Sequence, residues 1–261
     1  MNYRNVTALI TGASAGLGQE FARQVAQQGA NLVLVARSKD RLDRLANEVR
    51  QQTGVQVTVL PTDLGSSDGV VRLIADVKAR GLAIGLLVNN AGLGVFENFT
   101  DTSLATQMNQ VDVNVRAVVA LTHAFAPDFI TGRGGLINIA STAAFQPLAG
   151  AAVYAGSKAF VLLFSEALSL ELEKAGVRVL AACPGPVATD FYADMRPRLQ
   201  AGQMDQPRAV VAEILRAFED GKRVVYPGKL TNRLGTWGAR FMTRNRILRV
   251  AARTTETLNQ K

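Results

Sequence analysis

The 261 residues predict an α/β fold: a doubly wound parallel sheet of about seven strands, covered by helices on both faces. Three observations carry this. Short, near-continuous apolar runs rich in β-formers alternate with helix-like stretches as far as residue 226. A glycine-rich turn follows the first of those runs, at the carboxyl end of a strand, where such sheets hold their ligands. No internal repeat or low-complexity tract breaks the alternation, and the length suits one large domain.

The elements follow in order. Residues 6–11 (VTALIT) read as a strand, 12–18 as a turn, and 19–29 as a helix stopped by Gly29. A second strand spans 31–36 (NLVLVA), followed by a charged helix from Ser38 to about Gln52. The pattern repeats with a strand at 55–60, a helix at 66–80 and a strand at 83–89. A long helix is expected over 104–131, a strand over 135–140, a helix over 151–175 and a strand over 177–182. A helix at 207–220 and a short strand at 223–226 close the alternation. Right-handed crossovers then place the ligand at the carboxyl ends of the strands.

Composition narrows the function. Hydrophobic residues make up 48% and charged residues 19%, enough apolar surface for a core. No apolar run is expected to reach the ~18–20 residues of a membrane span. The first residues run directly into a strand, so no signal peptide is expected. Cys183 is the only cysteine, so a reducing, cytoplasmic setting is expected and a buried structural thiol fits its place before Pro184. The net charge of +8 is local: residues 222–261 hold ten Lys/Arg against Glu256 alone, whereas 1–221 hold 19 basic and 20 acidic residues. A nucleic-acid binder would spread such charge or interleave it with aromatics, so none is expected as a partner.

The turn Thr11-Gly12-Ala13-Ser14-Ala15-Gly16-Leu17-Gly18 has G-x-x-x-G-x-G spacing. Glycines there let the backbone approach a pyrophosphate, which the following helix N-terminus stabilises. At the end of the second strand an NAD site needs an acid for the ribose hydroxyls. The residues there are Ala36 and Arg37. A guanidinium binds a 2′-phosphate that an acid would repel, so NADP(H) is expected ahead of NAD(H). Lys39 and Arg41 add to that field.

Tyr154 and Lys158, at i and i+4 of a helix, share a face. A free phenol titrates near ~10 and is a poor acid–base catalyst at neutral pH. A nearby ammonium favours phenolate and brings it toward the working range. Ser141 ends a strand, where a hydroxyl can hold a carbonyl and the oxyanion developing on it. Singly, each has a bland reading: a chance spacing, a strand-end cap, and a solvated Asn114.

Together they resemble the compact, single-domain branch of the short-chain dehydrogenase/reductase superfamily, along nearly the whole chain. TGASAGLG at 11–18, Asp63 in TDL, NNAG at 89–92, Asn114, Ser141, YAGSK at 154–158 and PGPVATD at 184–190 fall in family order and spacing. The resemblance implies a Rossmann-type sheet in which Asn114, Ser141, Tyr154 and Lys158 are catalytic. It places Gly12, Ser14, Gly16, Leu17 and Gly18 at the pyrophosphate, Asp63 and Leu64 at the adenine, and Asn90, Ala91 and Gly92 at the adjoining ribose. Lys158 would bind the nicotinamide ribose hydroxyls, and Asn114 would hold a water linking Lys158 to solvent. Pro184, Gly185, Val187 and Thr189 would hold the nicotinamide ring and carboxamide. The expected organisation is a dinucleotide-binding and catalytic domain over 1–228 and a basic helical extension over 229–261. No metal is expected, and the lone His123 matches no motif.

The substrate is expected beside Ala143, Phe145 and Ala151, under a loop at about 190–206 that brings Phe191, Tyr192 and Met195. These residues are mostly apolar, which fits a lipophilic carbonyl or alcohol. Leu230, Leu234, Trp237 and Phe241 recur at helical spacing among arginines. That stripe fits either packing on the domain or a partner subunit, or reversible contact of 230–253 with an anionic membrane. Relatives in the superfamily are often homodimers or homotetramers. The expected activity is NADPH-dependent reduction of a ketone or aldehyde, reversible as alcohol oxidation, with Tyr154 supplying the proton. The alternatives are an NAD-dependent alcohol dehydrogenase and a redox-sensing cofactor-binding protein without turnover.

Overall fold

The computed structural model describes residues 3–132, 134–191, 204–241, 243 and 245–251. Seven strands form one sheet in the order β3-β2-β1-β4-β5-β6-β7, and every neighbouring pair is parallel. They are β1 (Thr7–Thr11), β2 (Asn31–Ala36), β3 (Val57–Pro61), β4 (Ile84–Asn89), β5 (Gly135–Ile139), β6 (Arg178–Ala182) and β7 (Val224–Val225). The helices include α1 (Gly16–Gln27), α2 (Lys39–Thr53), α3 (Ser67–Ala79), α4 (Leu104–Val111), α5 (Ala117–Gly132), α6 (Ala152–Glu171), α7 (Pro207–Glu219) and α8 (Leu230–Phe241), and residues 245–251 are helical as well. The predicted doubly wound α/β architecture is therefore what the chain adopts.

Two apolar layers explain the near-continuous hydrophobicity of the strands. Ile10, Leu34 and Leu86 face one layer with Phe21, Val25 and Phe218, while Leu9, Val33 and Leu87 face the other with Leu73, Phe125 and Phe129. Alternate residues of each strand thus feed opposite helix layers, as a sheet buried on both faces requires. Strand order reverses between β1 and β4, opening the crevice outside their carboxyl ends.

Several boundaries moved. The expected helix over 104–131 is interrupted by a π-helical turn at Asp112–Arg116, between α4 and α5. Such single-turn widenings have no sequence signature and commonly lie at functional sites. The second half of the expected helix 151–175 ends at Glu171. A 3-10 turn, Glu173–Ala175, follows and stops at Gly176 in the left-handed region (φ 74°). Against the expectation that no apolar run reaches the length of a membrane span, α6 is long and apolar enough, by length and composition, to cross one. It is instead a core helix: Tyr154, Lys158, Val161, Leu162 and Ser165 are buried on its inner face.

Candidate active site

The phosphate turn is built on absent side chains. Gly12 (φ 66°) and Gly16 (φ 54°) occupy the left-handed region that only glycine enters freely. A Cβ at Gly16 would lie 2.7 Å from Thr189 Cγ2, and one at Gly18 would run into the Gly12 carbonyl. Gly18 therefore packs helix to strand, while Gly12, Ser14, Gly16 and Leu17 line a cleft of about 510 Å³. Thr11, whose role the sequence did not reveal, ties the turn to the next motif. Its Oγ1 accepts from the backbone N–H of Asn90 and of Ala91, each at 3.0 Å. Asn90 Nδ2 donates back to the Thr11 carbonyl at 2.8 Å. The cradle at the head of α1 fits a dinucleotide pyrophosphate.

The same cleft gathers most of the other expected residues: Arg37, Asp63, Leu64, Asn90, Ala91, Gly92, Ser141, Tyr154, Lys158, Pro184, Gly185, Val187 and Thr189. Arg37 is exposed at the end of β2, next to buried Ala36. Arg41 lines the cleft too, 3.9 Å from Asp190, whereas Lys39 turns to Asp43. Asp63 Oδ1 accepts from the Gly65 N–H at 3.0 Å, which shapes the loop before α3.

Tyr154 and Lys158 are buried on the first turns of α6. Lys158 Nζ lies 5.9 Å from the Tyr154 ring centroid and donates to the Ile139 carbonyl at 2.8 Å. Burial lowers the Lys158 pKa to about 8, because a dry environment penalises the ammonium. Ser141 Oγ accepts from the Ala143 N–H at 3.1 Å, capping the 3-10 turn Thr142–Phe145. The hydroxyl hydrogen is not consumed by that contact and remains available to a substrate oxygen.

Asn114 sits in the π-helical turn behind the cleft, and its side chain is heavily committed. Oδ1 accepts from the Leu93 N–H at 2.8 Å. Nδ2 donates to the Leu93 carbonyl at 2.8 Å and to Ser157 Oγ at 2.9 Å. Ser157 Oγ in turn donates to the Tyr154 carbonyl at 2.8 Å. The amide thus has no hydrogen left for a water, and only one Oδ1 lone pair remains for a relay toward Lys158.

On the substrate side, Ala143 and Ala151 are buried with Tyr154, against Phe96 and Leu148. Phe191 stands 5.8 Å from the Tyr154 ring and 6.2 Å from Phe96, ring centre to ring centre. Phe96 itself is 5.4 Å from Tyr154 and carries no sequence signal, because it lies in a loop with no periodicity. Gly94 allows this packing, since a Cβ there would meet both phenyl rings. Phe145 packs elsewhere: its ring lies tilted at 5.5 Å from that of Tyr226, against the Val161, Leu162 and Cys183 cluster, and, like Ala143 and Ala151, it is not among the residues lining the 510 Å³ cleft. Tyr192 and Met195, with most of the expected 190–206 loop, lie outside the described residues. Cys183 is buried, its thiol pushed up to about 12 by desolvation. His123 is exposed on α5, and no group of His, Cys, Asp and Glu among the described residues is arranged to hold a metal.

A phosphate cradle at the strand-order switch, leading to a buried Tyr–Lys pair, defines a dinucleotide-dependent oxidoreductase. Residues 6–200 match the family model described as short chain dehydrogenase. The chain belongs to the short-chain dehydrogenase/reductase family, whose fold binds a nicotinamide cofactor and acts on small molecules. It is similar to sulfoacetaldehyde reductase 2 of Chromohalobacter salexigens, 38% identical over 186 residues, covering 70% of this chain and 73% of that protein. A short-chain dehydrogenase from Sphingobium yanoikuyae in complex with NADPH superposes with a TM-score of 0.80 at 33% identity, over 90% of this chain and 93% of that one. The bulky-bulky ketone specific alcohol dehydrogenase from Comamonas testosteroni gives 0.79 at 31% identity, over 92% of each chain.

Proposed function

We propose that this protein reduces a ketone or aldehyde with apolar flanks at the expense of NADPH, and oxidises the corresponding alcohol in reverse. The carrying observation is the cleft itself. Its cations among the described residues are Arg37 and Arg41, at and just after the end of β2, and buried Lys158 beside Tyr154, whose ring meets Phe191; Leu93 and Val113 add to its apolar lining. No acid occupies the Ala36 position to repel a 2′-phosphate, and the likeness to an NADPH complex agrees. When bound, the nicotinamide supplies a hydride to the carbonyl carbon. Gly12, Ser14, Gly16 and Leu17 would form the pyrophosphate seat, with Gly18 packed behind it, and Pro184, Gly185, Val187 and Thr189 the nicotinamide seat.

In this reading the Ser141 hydroxyl donates to the substrate carbonyl oxygen and fixes its position. The Tyr154 hydroxyl delivers a proton to that oxygen as charge develops on it. Lys158 supports the phenolate left behind by its positive charge and holds the nicotinamide ribose hydroxyls. Asn114 serves that pair from behind, through Ser157 and the Leu93 backbone.

The small anionic aldehyde named for the halobacterial relative is the contrasting substrate. Lys158 is the one cation among the described residues beside Tyr154 in the cleft, which favours an uncharged, larger carbonyl. NADPH oxidation with aliphatic, aromatic, steroid and β-ketoacyl carbonyls, and with sulfoacetaldehyde, decides. Turnover of apolar ketones with NADPH over NADH is expected; turnover of sulfoacetaldehyde alone, or preference for NADH, would overturn the reading.

Three further assignments belong to this proposal. A reducing cytoplasm suits the buried lone thiol. A homodimer or homotetramer would cover exposed Leu104, Met108, Leu163 and Leu170 on the long helices. Peripheral contact with anionic lipid would engage Leu230 and Leu234, which are 66% and 60% exposed beside Lys229 and Arg233. Co-sedimentation with phosphatidylglycerol vesicles, lost in Leu234→Asp, tests the last; equal recovery with neutral vesicles would dismiss it.

A further inference from the structure

Helix α8 does not simply trail from the domain. Among the side chains of α8 that the structure describes, those turned inward are polar: Thr236 is 4% exposed and Asn232 is partly buried, while Leu230 and Leu234 are exposed. Asn232 occupies the space that a side chain at Gly185 would need; the three nearest atoms to a Cβ there all belong to Asn232. Gly185 lines the cleft at the expected nicotinamide seat. On its other side, Asn232 Nδ2 donates to Asp205 Oδ2 at 3.3 Å.

Asp205 joins the helix to the same seat twice over. Its backbone N–H donates to the Pro186 carbonyl, and its carbonyl accepts from the Ala188 N–H, both at 2.9 Å. These bonds form an isolated parallel bridge with Val187. Its carboxylate accepts the Lys229 N–H at 3.4 Å, just before the first residue of α8, where a negative charge is favourable. A Cβ at Gly228 (φ 92°) would run into that carboxylate, so the approach is close on this side as well. Segment 185–188 is thus held between one β-bridge and one side chain, and both lead to Asp205.

We infer that Asn232 is a positioning residue for the cofactor: with Asp205 it clamps the Gly185–Ala188 backbone so that the nicotinamide end of the cleft keeps its shape. The inference rests on the reading that this segment seats the nicotinamide. It predicts a dependence no motif records, of cofactor affinity on a helix outside the cleft. An ordinary buried hydrogen bond contributes enough that its loss is worth about five-fold in affinity.

The test is direct titration of the full-length protein with NADPH, followed by fluorescence, with kcat and thermal midpoint measured in parallel. Asn232→Ala and Asp205→Ala should each raise Kd about five-fold or more, and Asp205→Asn, which keeps an acceptor oxygen, should restore most of it. Gly185→Ala should bind poorly because its methyl meets Asn232. Gly185→Ala combined with Asn232→Ala should recover affinity, which a general loss of stability would not produce. Wild-type binding with an unchanged Asn232→Ala curve, or a double variant no better than Gly185→Ala, overturns the inference alone. A wild-type chain that binds no NADPH overturns both it and the reading beneath it.

Discussion

Asn114 and Ser157, 43 positions apart, are joined by a hydrogen bond of 2.9 Å that ties the π-helical turn to the first turns of α6. Ser157 passes the contact on to the Tyr154 carbonyl, and Asn114 passes it to both backbone groups of Leu93. One hydroxyl thereby couples the segment carrying Tyr154 and Lys158 to the loop that follows β4. Its position beside Lys158 in sequence says nothing of this, because the partner comes from another helix.

Ser157→Ala removes that coupling and leaves one buried Asn114 hydrogen without its acceptor. A loss of one or two such bonds corresponds to about a tenfold fall in kcat. Steady-state kinetics should show that fall with cofactor Kd within about twofold; Ser157→Thr, which keeps the hydroxyl, should recover most of the rate. An Ala variant with wild-type kcat would remove Ser157 from the proposed machinery.

Tyr154→Phe keeps the ring that packs on Phe96 and Phe191 and removes only the hydroxyl. Carbonyl reduction should disappear while NADPH binding and thermal midpoint stay nearly unchanged. Retained turnover would refute the proton-donor role.

Lys158 carries a pH signature in stability. Its amine titrates at about 8 in the folded chain, against an ordinary value of 10.5. Between those values the unfolded chain binds more protons, so this group makes stability rise with pH. Below about 8 it is charged in both states and its full burial cost, on the order of 3 kcal/mol, is present. Cys183 works the other way above the usual thiol range, since its thiol is pushed up to about 12. Comparison with Lys158→Met cancels that contribution. In urea unfolding, wild type should gain most of this 3 kcal/mol relative to Lys158→Met between pH 7.5 and 10. A difference that stays flat with pH would contradict a desolvated ammonium. Reduction by wild type should also slow as pH rises through about 8 and the ammonium is lost.

Arg37→Asp should invert cofactor choice. Arg37 lines the cleft as an exposed cation, and among the described residues it forms no ion pair. Exchange for a carboxylate replaces attraction to a 2′-phosphate by repulsion and offers the ribose hydroxyls an acceptor. The ratio of kcat/KM for NADPH over NADH should fall by about a hundredfold or more, the scale of a charge-assisted contact made repulsive. An unchanged ratio would shift the assignment to Arg41.

What is local and periodic was legible in the order of residues alone. Apolar runs of period suited to a doubly buried strand, glycines at a turn that must bend past a phosphate, and a Tyr–Lys pair one helical turn apart are all written within a few residues of each other. So was the missing acid at Ala36, because a strand end followed by a helix marks its own position. Contacts between distant segments came from the folded arrangement. It placed Phe96 over Tyr154, drew Phe145 to Tyr226, set the Thr11 hydroxyl under Asn90, and put Asn232 against Gly185. It also widened the long helix at Asp112–Arg116, where Asn114 meets Leu93 and Ser157. Periodicity reports which face of an element is apolar. Which distant residue meets that face depends on how the layers close on one another.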